Sequence, residues 1–432
     1  MHITPAPIRR QRRYRPVRRH VVERDSCDEP SVLTSRYGDP VRNPTFTLSV
    51  CSFALLGSLV APADAASTGT ATTRLAGAVV AAVEIQADDK VVVAATSNKG
   101  FAVLRYNRAG KLDTTWGSKG VATTNFTKNS ATAAAVAIQA EGRVVVAGSS
   151  AGDFVLARYT TAGKLDTSFG GSGTVRIPIG SASAVGIALQ ADGKIVVVGN
   201  TDSDIVLATY APNGKPASRF GTNGVVRTDL GGTETANAIA LRADGRIVIT
   251  GQTQKAGGAH QFALLQYTTS GTLDSRFATA GKLISATPSS GTVLALDSSG
   301  RAVIAYSHNG SFASSRYSAT GKLDTAYGTN GIVTTTVTGN ATAVAVQADG
   351  RTVVAGTSGT GLALTRLTTS GRIDTTYGRN GATTATYGKG THSVVGVVLN
   401  KAAQAFVAGS AGEFVAVAKF AANGKAAENY GS

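Results

Sequence analysis

A nine-residue phrase, ADGKIVVVG at 191–199, returns as AEGRVVVAG at 140–148, ADGRIVITG at 243–251 and ADGRTVVAG at 348–356. Internal repetition constrains a fold more tightly than composition does, because each copy must solve the same packing problem against its neighbours. The turn that opens the phrase occurs seven times, at Gln86, Gln139, Gln190, Arg242, Asp297, Gln347 and Asn400. The interval is about 50 residues throughout. A second phrase, GKLDTTWG at 110–117, alternates with the first and also reaches seven copies, the last being GKAAENYG at 424–431.

Each unit holds four candidate strands, which in the second unit cover 133–139, 143–149, 154–160 and 173–179. Strands this short, joined by Asp-Gly and Ala-Gly turns, fold as antiparallel meanders. Seven four-stranded sheets at this period predict an all-β, seven-bladed β-propeller, in which radial stacking buries both faces of every sheet. The first strand of each unit is small and apolar, as in GIALQ at 186–190, and suits the crowded axis. The fourth is Thr-rich, as in GVATTNF at 120–126, and suits an outer edge open to water. The seventh unit has no fourth strand, whereas GTATTRL at 69–75 matches that pattern ahead of the first unit. The N-terminal segment is therefore predicted to join the last blade and close the ring.

The first 66 residues read differently. Residues 1–44 are basic and proline-bearing, with RRQRRYRPVRR at 9–19 and no amphipathic period, and are expected to be a disordered extension. The apolar run at 45–60 is short for a bilayer span and precedes Ala63-Asp64-Ala65, a small-x-small site. Residues 45–66 thus predict an export signal cleaved near Ala65, leaving 67–432 as the propeller. The expected location is secreted or cell-surface, with no membrane span after cleavage. Cys27 and Cys51 both fall in this leader, so no disulfide can staple the propeller.

The Q-A-D-G-K/R turn, followed by L-D-x-x-aromatic-G-x-x-G, resembles the delta-60 repeat of bacterial secreted and surface proteins. More distantly it is similar to the NHL-type propeller repeat. The resemblance covers residues 69–432 and implies a propeller, but no single activity. The seventh unit departs from it by losing the Asp-Gly turn at 400–403, and units three and seven lack the Leu-Asp pair.

The repeats also absorb most of the chemistry. Asp88, Asp89, Asp192, Asp244, Asp297 and Asp349 sit in the first turn, and Asp113, Asp166, Asp274, Asp324 and Asp374 in the Leu-Asp phrase. Aspartates in such places satisfy local backbone N–H groups. Of the net charge of +16, +4 falls in the first 66 residues and +12 in 67–432, where many of the basic residues occupy repeat positions such as Arg105, Arg158, Arg316, Arg366 and Lys419. No stripe with interleaved stacking aromatics forms, which speaks against a specific nucleic-acid partner. Neither a P-loop, a His-Glu-x-x-His nor an EF-hand pattern is present.

The remaining polar residues gather on one side. Links between strands two and three share a face with links between blades, and that face is predicted to carry Asp153, Asp202, Asp204, Asp229, Glu234, Glu413 and all three histidines after the leader. Asp202, Asp204, His260, His308 and His392 are the candidate ligand-binding residues. No catalytic set, cofactor or metal is assigned. The expected function is an exported, monomeric, non-catalytic module binding an extracellular glycan, protein or anionic surface. The alternative is a secreted propeller lyase or hydrolase using His and carboxylates of the same face, which would need two or three such groups to converge.

Overall fold

The computed structural model describes residues 69–432 apart from 127–130, 286–291, 360 and 388–391. The basic extension, the apolar run and the cleavage site near Ala65 lie outside the described residues. Seven four-stranded antiparallel sheets make up the fold; six are meanders of consecutive strands, and the seventh takes its outer strand from the N-terminal segment. Among the described residues no helix is long and apolar enough to cross a membrane.

Side-chain alternation explains why the second and third strands are apolar throughout. In blade 1, Val91, Val93 and Ala95 enter a core cluster shared with blade 7, while Val92 and Ala94 enter one shared with blade 2. The described residues form seven such clusters, one between each pair of neighbouring blades. A strand buried on both faces must be apolar at every position, which is what the VVVAG run supplies. The first strands pack against one another around the axis, as their small side chains predict.

The glycine that ends the phrase has its own cause. In six blades the first strand carries a bulge that skips Ala81, Ala134, Val185, Asn237, Thr342 or Val395. The bulge presses a first-strand carbonyl against the second strand. A Cβ at Gly148, Gly199, Gly251, Gly356 or Gly409 would collide with the carbonyl of Thr132, Ser183, Thr235, Asn340 or Ser393 respectively. The opening turn likewise holds Gly193 at φ +80°, in the left-handed region. The seventh unit corrects the expectation of a lost turn. Ala403 adopts φ 58° and its N–H donates to the Asn400 carbonyl at 2.9 Å, so the turn persists without its glycine.

Ring closure follows the predicted route. Thr70–Arg74 pairs antiparallel with the third strand of blade 7, from Thr70 opposite Ala418 to Arg74 opposite Phe414. The Lys419 N–H donates to the Gly69 carbonyl at 2.8 Å, extending the ladder. On the turn face, seven backbone bonds step from blade to blade, beginning with Gly117 N–H to Ala162 O and ending with Gly431 N–H to Ala109 O. On the other face, links between strands two and three meet the start of the next blade at three boundaries, where Ala182 N–H donates to Gly152 O, Glu234 N–H to Ser203 O and Gly339 N–H to Gly310 O, each at 2.8 Å.

Candidate functional site

The turn face is a repeated clamp. At the end of the third strand, Arg105, Arg158, Arg316 and Arg366 are buried and pair with Asp113, Asp166, Asp324 and Asp374 at 2.8–2.9 Å. Each guanidinium also lies 4.5–5.5 Å from the ring that follows, Trp116, Phe169, Tyr327 or Tyr377. The same arginines donate across the blade boundary, to the carbonyls of Thr161, Pro212, Thr369 and Ala422. The Leu-Asp phrase is therefore an inter-blade staple as well as a capped turn, since Asp113 also accepts from the Thr115 N–H and hydroxyl. Blade 4 substitutes Gln266 for the arginine, and Gln266 donates to Asp274 at 2.9 Å while Arg246 adds an ion pair.

These carboxyls carry a pH signature. Burial works to raise the Asp113 carboxyl, but the Thr115 bonds, Arg105 and Lys90 outweigh it and hold the group at about 2. Asp166, Asp274 and Asp374 are lowered in the same way, burial being overcome by hydrogen bonds and arginines. A carboxyl depressed in the folded state stabilises the protein fully above its unfolded value, and that contribution is lost as pH falls through the folded value. The urea midpoint is thus expected to fall steeply between about pH 4 and pH 2 through these groups, with little change from about pH 5 upward. A midpoint that stays level down to pH 2 would show that the clamp contributes nothing.

The loop face is neutralised only in part. Asp153 is paired with Arg176 at 2.9 Å and Glu413 with Arg74 at 3.0 Å. Burial pushes the Asp153 carboxyl up, yet Arg176 and the Gly180 and Ile179 N–H groups hold it below its usual range. Asp202, Asp204, Asp229 and Glu234 have no Lys or Arg within ion-pair distance among the described residues. Three of them converge. Asp204 comes from the loop between strands two and three of blade 3, Asp229 from the link to blade 4, and Glu234 from the first strand of blade 4. One carboxylate oxygen from each lies within 4.8 Å of the others. Asp202 is exposed and stands outside this group.

The histidines do not assemble. His260 and His308 are exposed, and the ring nitrogen of His308 meets only the neighbouring Asn309 amide, at 3.2 Å. His392 is half-buried, with Tyr387 5.9 Å from its ring and no hydrogen-bond partner on either nitrogen. Beside the acidic group an open cavity of about 520 Å³ is lined by Asp229, Thr233, Gln254 and Lys255 with neighbouring glycines. Its wall is the long loop at 252–261.

Two residues stand out only when the seven copies are aligned by strand register. Glu234 occupies a position held by Ala131 in blade 2, Ala182 in blade 3 and Gly339 in blade 6, and it is 1% exposed. Glu84, in the first strand of blade 1, stands where the others have Ala137, Ala188, Ala240, Ala295, Ala345 and Val398. Burial pushes its carboxyl up, against a hydrogen bond from the Ile85 N–H. Glu84 was not among the sequence candidates.

A family model described as a domain of unknown function (DUF5122) beta-propeller matches residues 86–115, 139–169, 190–216, 242–277 and 347–377. Five of the seven units therefore match this propeller repeat family. Blades 5 and 7 fall outside the matched segments, in keeping with the altered turns at Asp297 and Asn400. No curated protein matches the chain. Among solved structures, selenomethionine-substituted virginiamycin B lyase from Staphylococcus aureus is similar at 13% identity, with a TM-score of 0.52 over 81% of this chain and 98% of the lyase. A catalytically inactive form of that lyase with quinupristin gives 11% identity and 0.51 over the same shares. A gluconolactonase from Xanthomonas campestris gives 13% and 0.43 over 82% of this chain and 90% of its own. At these identities the likeness concerns the fold alone.

Proposed function

We propose that the chain is exported, is cleaved near Ala65, and acts as a monomeric binding module that holds an extracellular partner on its loop face without transforming it. The observation that carries this reading is the asymmetry between the faces. Carboxylates of the Leu-Asp phrase are spent on the clamp, whereas Asp202, Asp204, Asp229 and Glu234 are left without basic partners beside a cavity. Ligand sites favour concave places where a few polar groups converge, and irregular loops on a rigid ring supply one. A hydrolytic or lyase centre would need a base and an acid within hydrogen-bond reach. Among the described residues no hydrogen bond joins His260, His308 or His392 to a carboxylate.

The purified chain applied to a glycan array and to anionic phospholipid vesicles should show saturable binding, with the ligand recovered chemically unchanged by mass spectrometry. A ligand recovered cleaved would establish the enzyme instead, and no saturable binding to either probe class would contradict the module.

A further inference from the structure

We propose that Asp204, Asp229 and Glu234 form a calcium site that ties blade 3 to blade 4. The inference goes beyond the binding role above, since it holds whatever partner the face takes. Its geometry rests on the three carboxylates meeting within 4.8 Å. Calcium–oxygen distances of about 2.3–2.6 Å place two ligands on opposite sides of one ion about 4.6–5.2 Å apart, so a single ion can reach all three.

The second support is Glu234 itself. It is 1% exposed, in a position that Ala131, Ala182 and Gly339 fill in blades 2, 3 and 6 and His392 in blade 7, so blade 4 places a buried carboxylate where three other blades place a small residue. The Thr253 hydroxyl donates to one of its oxygens at 2.8 Å, which fixes the carboxylate in place. The other oxygen is buried with no hydrogen-bond partner. A buried carboxylate oxygen left bare beside two further carboxylates is unfavourable unless a cation compensates it. The chain's excess of Lys and Arg makes the omission more pointed, because Asp113, Asp166 and Asp374 each attract two basic side chains.

Donor chemistry selects the ion. All three ligands are carboxylate oxygens, with no His or Cys in the group, which favours a hard cation over zinc or copper. Two of the three come from loops, and magnesium demands a near-ideal octahedron that such segments hold poorly, whereas calcium accepts irregular oxygen shells. The fixed Glu234 and the loop-borne Asp204 and Asp229 would then be drawn together by one ion, locking two blades where no buried Arg–Asp clamp joins them.

The test is calorimetric titration of the purified, chelator-treated chain with calcium chloride and, separately, magnesium chloride, paired with thermal melts. One calcium per chain is expected, with Kd of about 0.1–1 mM, the range of extracellular modules. The melting temperature should rise in about 10 mM calcium, and magnesium should bind more weakly. Glu234→Gln keeps the shape and the Thr253 contact while removing the charge, and should weaken calcium about tenfold or more and erase the thermal shift. Asp229→Asn, at an exposed position, provides the same reading should the buried variant fold poorly. Absence of calcium binding up to about 10 mM, unchanged binding in both variants, or tighter binding of magnesium would each overturn the proposal.

Discussion

Removing residues 69–75 should lower the melting temperature by on the order of 5–10 °C and make the chain prone to aggregate. Thr70–Arg74 supplies the whole outer strand of blade 7, and Ala71 is packed at 2% exposure in the cluster between blades 7 and 1. The Thr73 hydroxyl also accepts from Tyr106 at 2.8 Å, carrying the closure into blade 1. Each ladder hydrogen bond is worth about 1 kcal/mol net, so the loss amounts to a few kcal/mol. What is left exposed matters as much. Phe414–Phe420 reads FVAVAKF, an apolar edge rich in valine and bearing one charge, a ready template for another chain. Calorimetry with size-exclusion light scattering checks both effects, and a truncated chain as stable and monomeric as the parent would refute this closure.

Asp374→Ala should be the most damaging single change on the turn face, at about 3–5 kcal/mol. Arg366 would remain at 5% exposure, held over Tyr377 and against the Ala422 carbonyl, with its counter-charge gone. Most of that cost comes from an uncompensated buried charge, not from the lost attraction. The chain contains its own control: blade 3 carries Thr209 where four blades have the arginine and Ala217 where those four have the aspartate, both partners absent together. The double variant Arg366→Thr with Asp374→Ala is accordingly expected to be more stable than Asp374→Ala alone. Urea denaturation of the two variants decides it, and equal midpoints would show that the pair is not coupled.

The blades, their strand order and the closing segment were legible because repetition displays the same periodicity seven times. The bulge was not, since a skipped residue such as Ala134 or Val185 leaves the apolar pattern intact and shows only in the register. The arginines ending the third strand read as dispersed surface charge. They are buried, because the Leu-Asp phrase folds back over them, and sequence spacing gives no sign of that return. The face alone makes Asp204 a candidate, yet its structural partners are Asp229 and Glu234, brought in by the next link and the next blade. The signal that could have found Glu234 and Glu84 was the column, not the local motif: Glu84 is a lone acid among small apolar residues, and Glu234 the one acid in a column that otherwise holds Ala131, Ala182, Gly339 and His392. The histidines were grouped by face alone, and a face about one blade wide at each step does not force side chains to meet.

The account's central claim is that one face is scaffold and the other binds. The most direct measurement compares affinity for a ligand found on the array across two variants of the chain. One replaces Asp202, Asp204, His260, His308 and His392 with alanine. The other replaces Lys164, Lys322 and Arg372, exposed on the turn face and outside the clamp. Exposed positions are expected to cost about 0.5 kcal/mol or less apiece, so the melting temperature should stay close to the parent's in the second variant and fall modestly in the first, where His392 and Asp204 are partly buried. Binding should be lost in the first variant and kept in the second; the reverse pattern would mean that the functional face is the one built from the repeated turns.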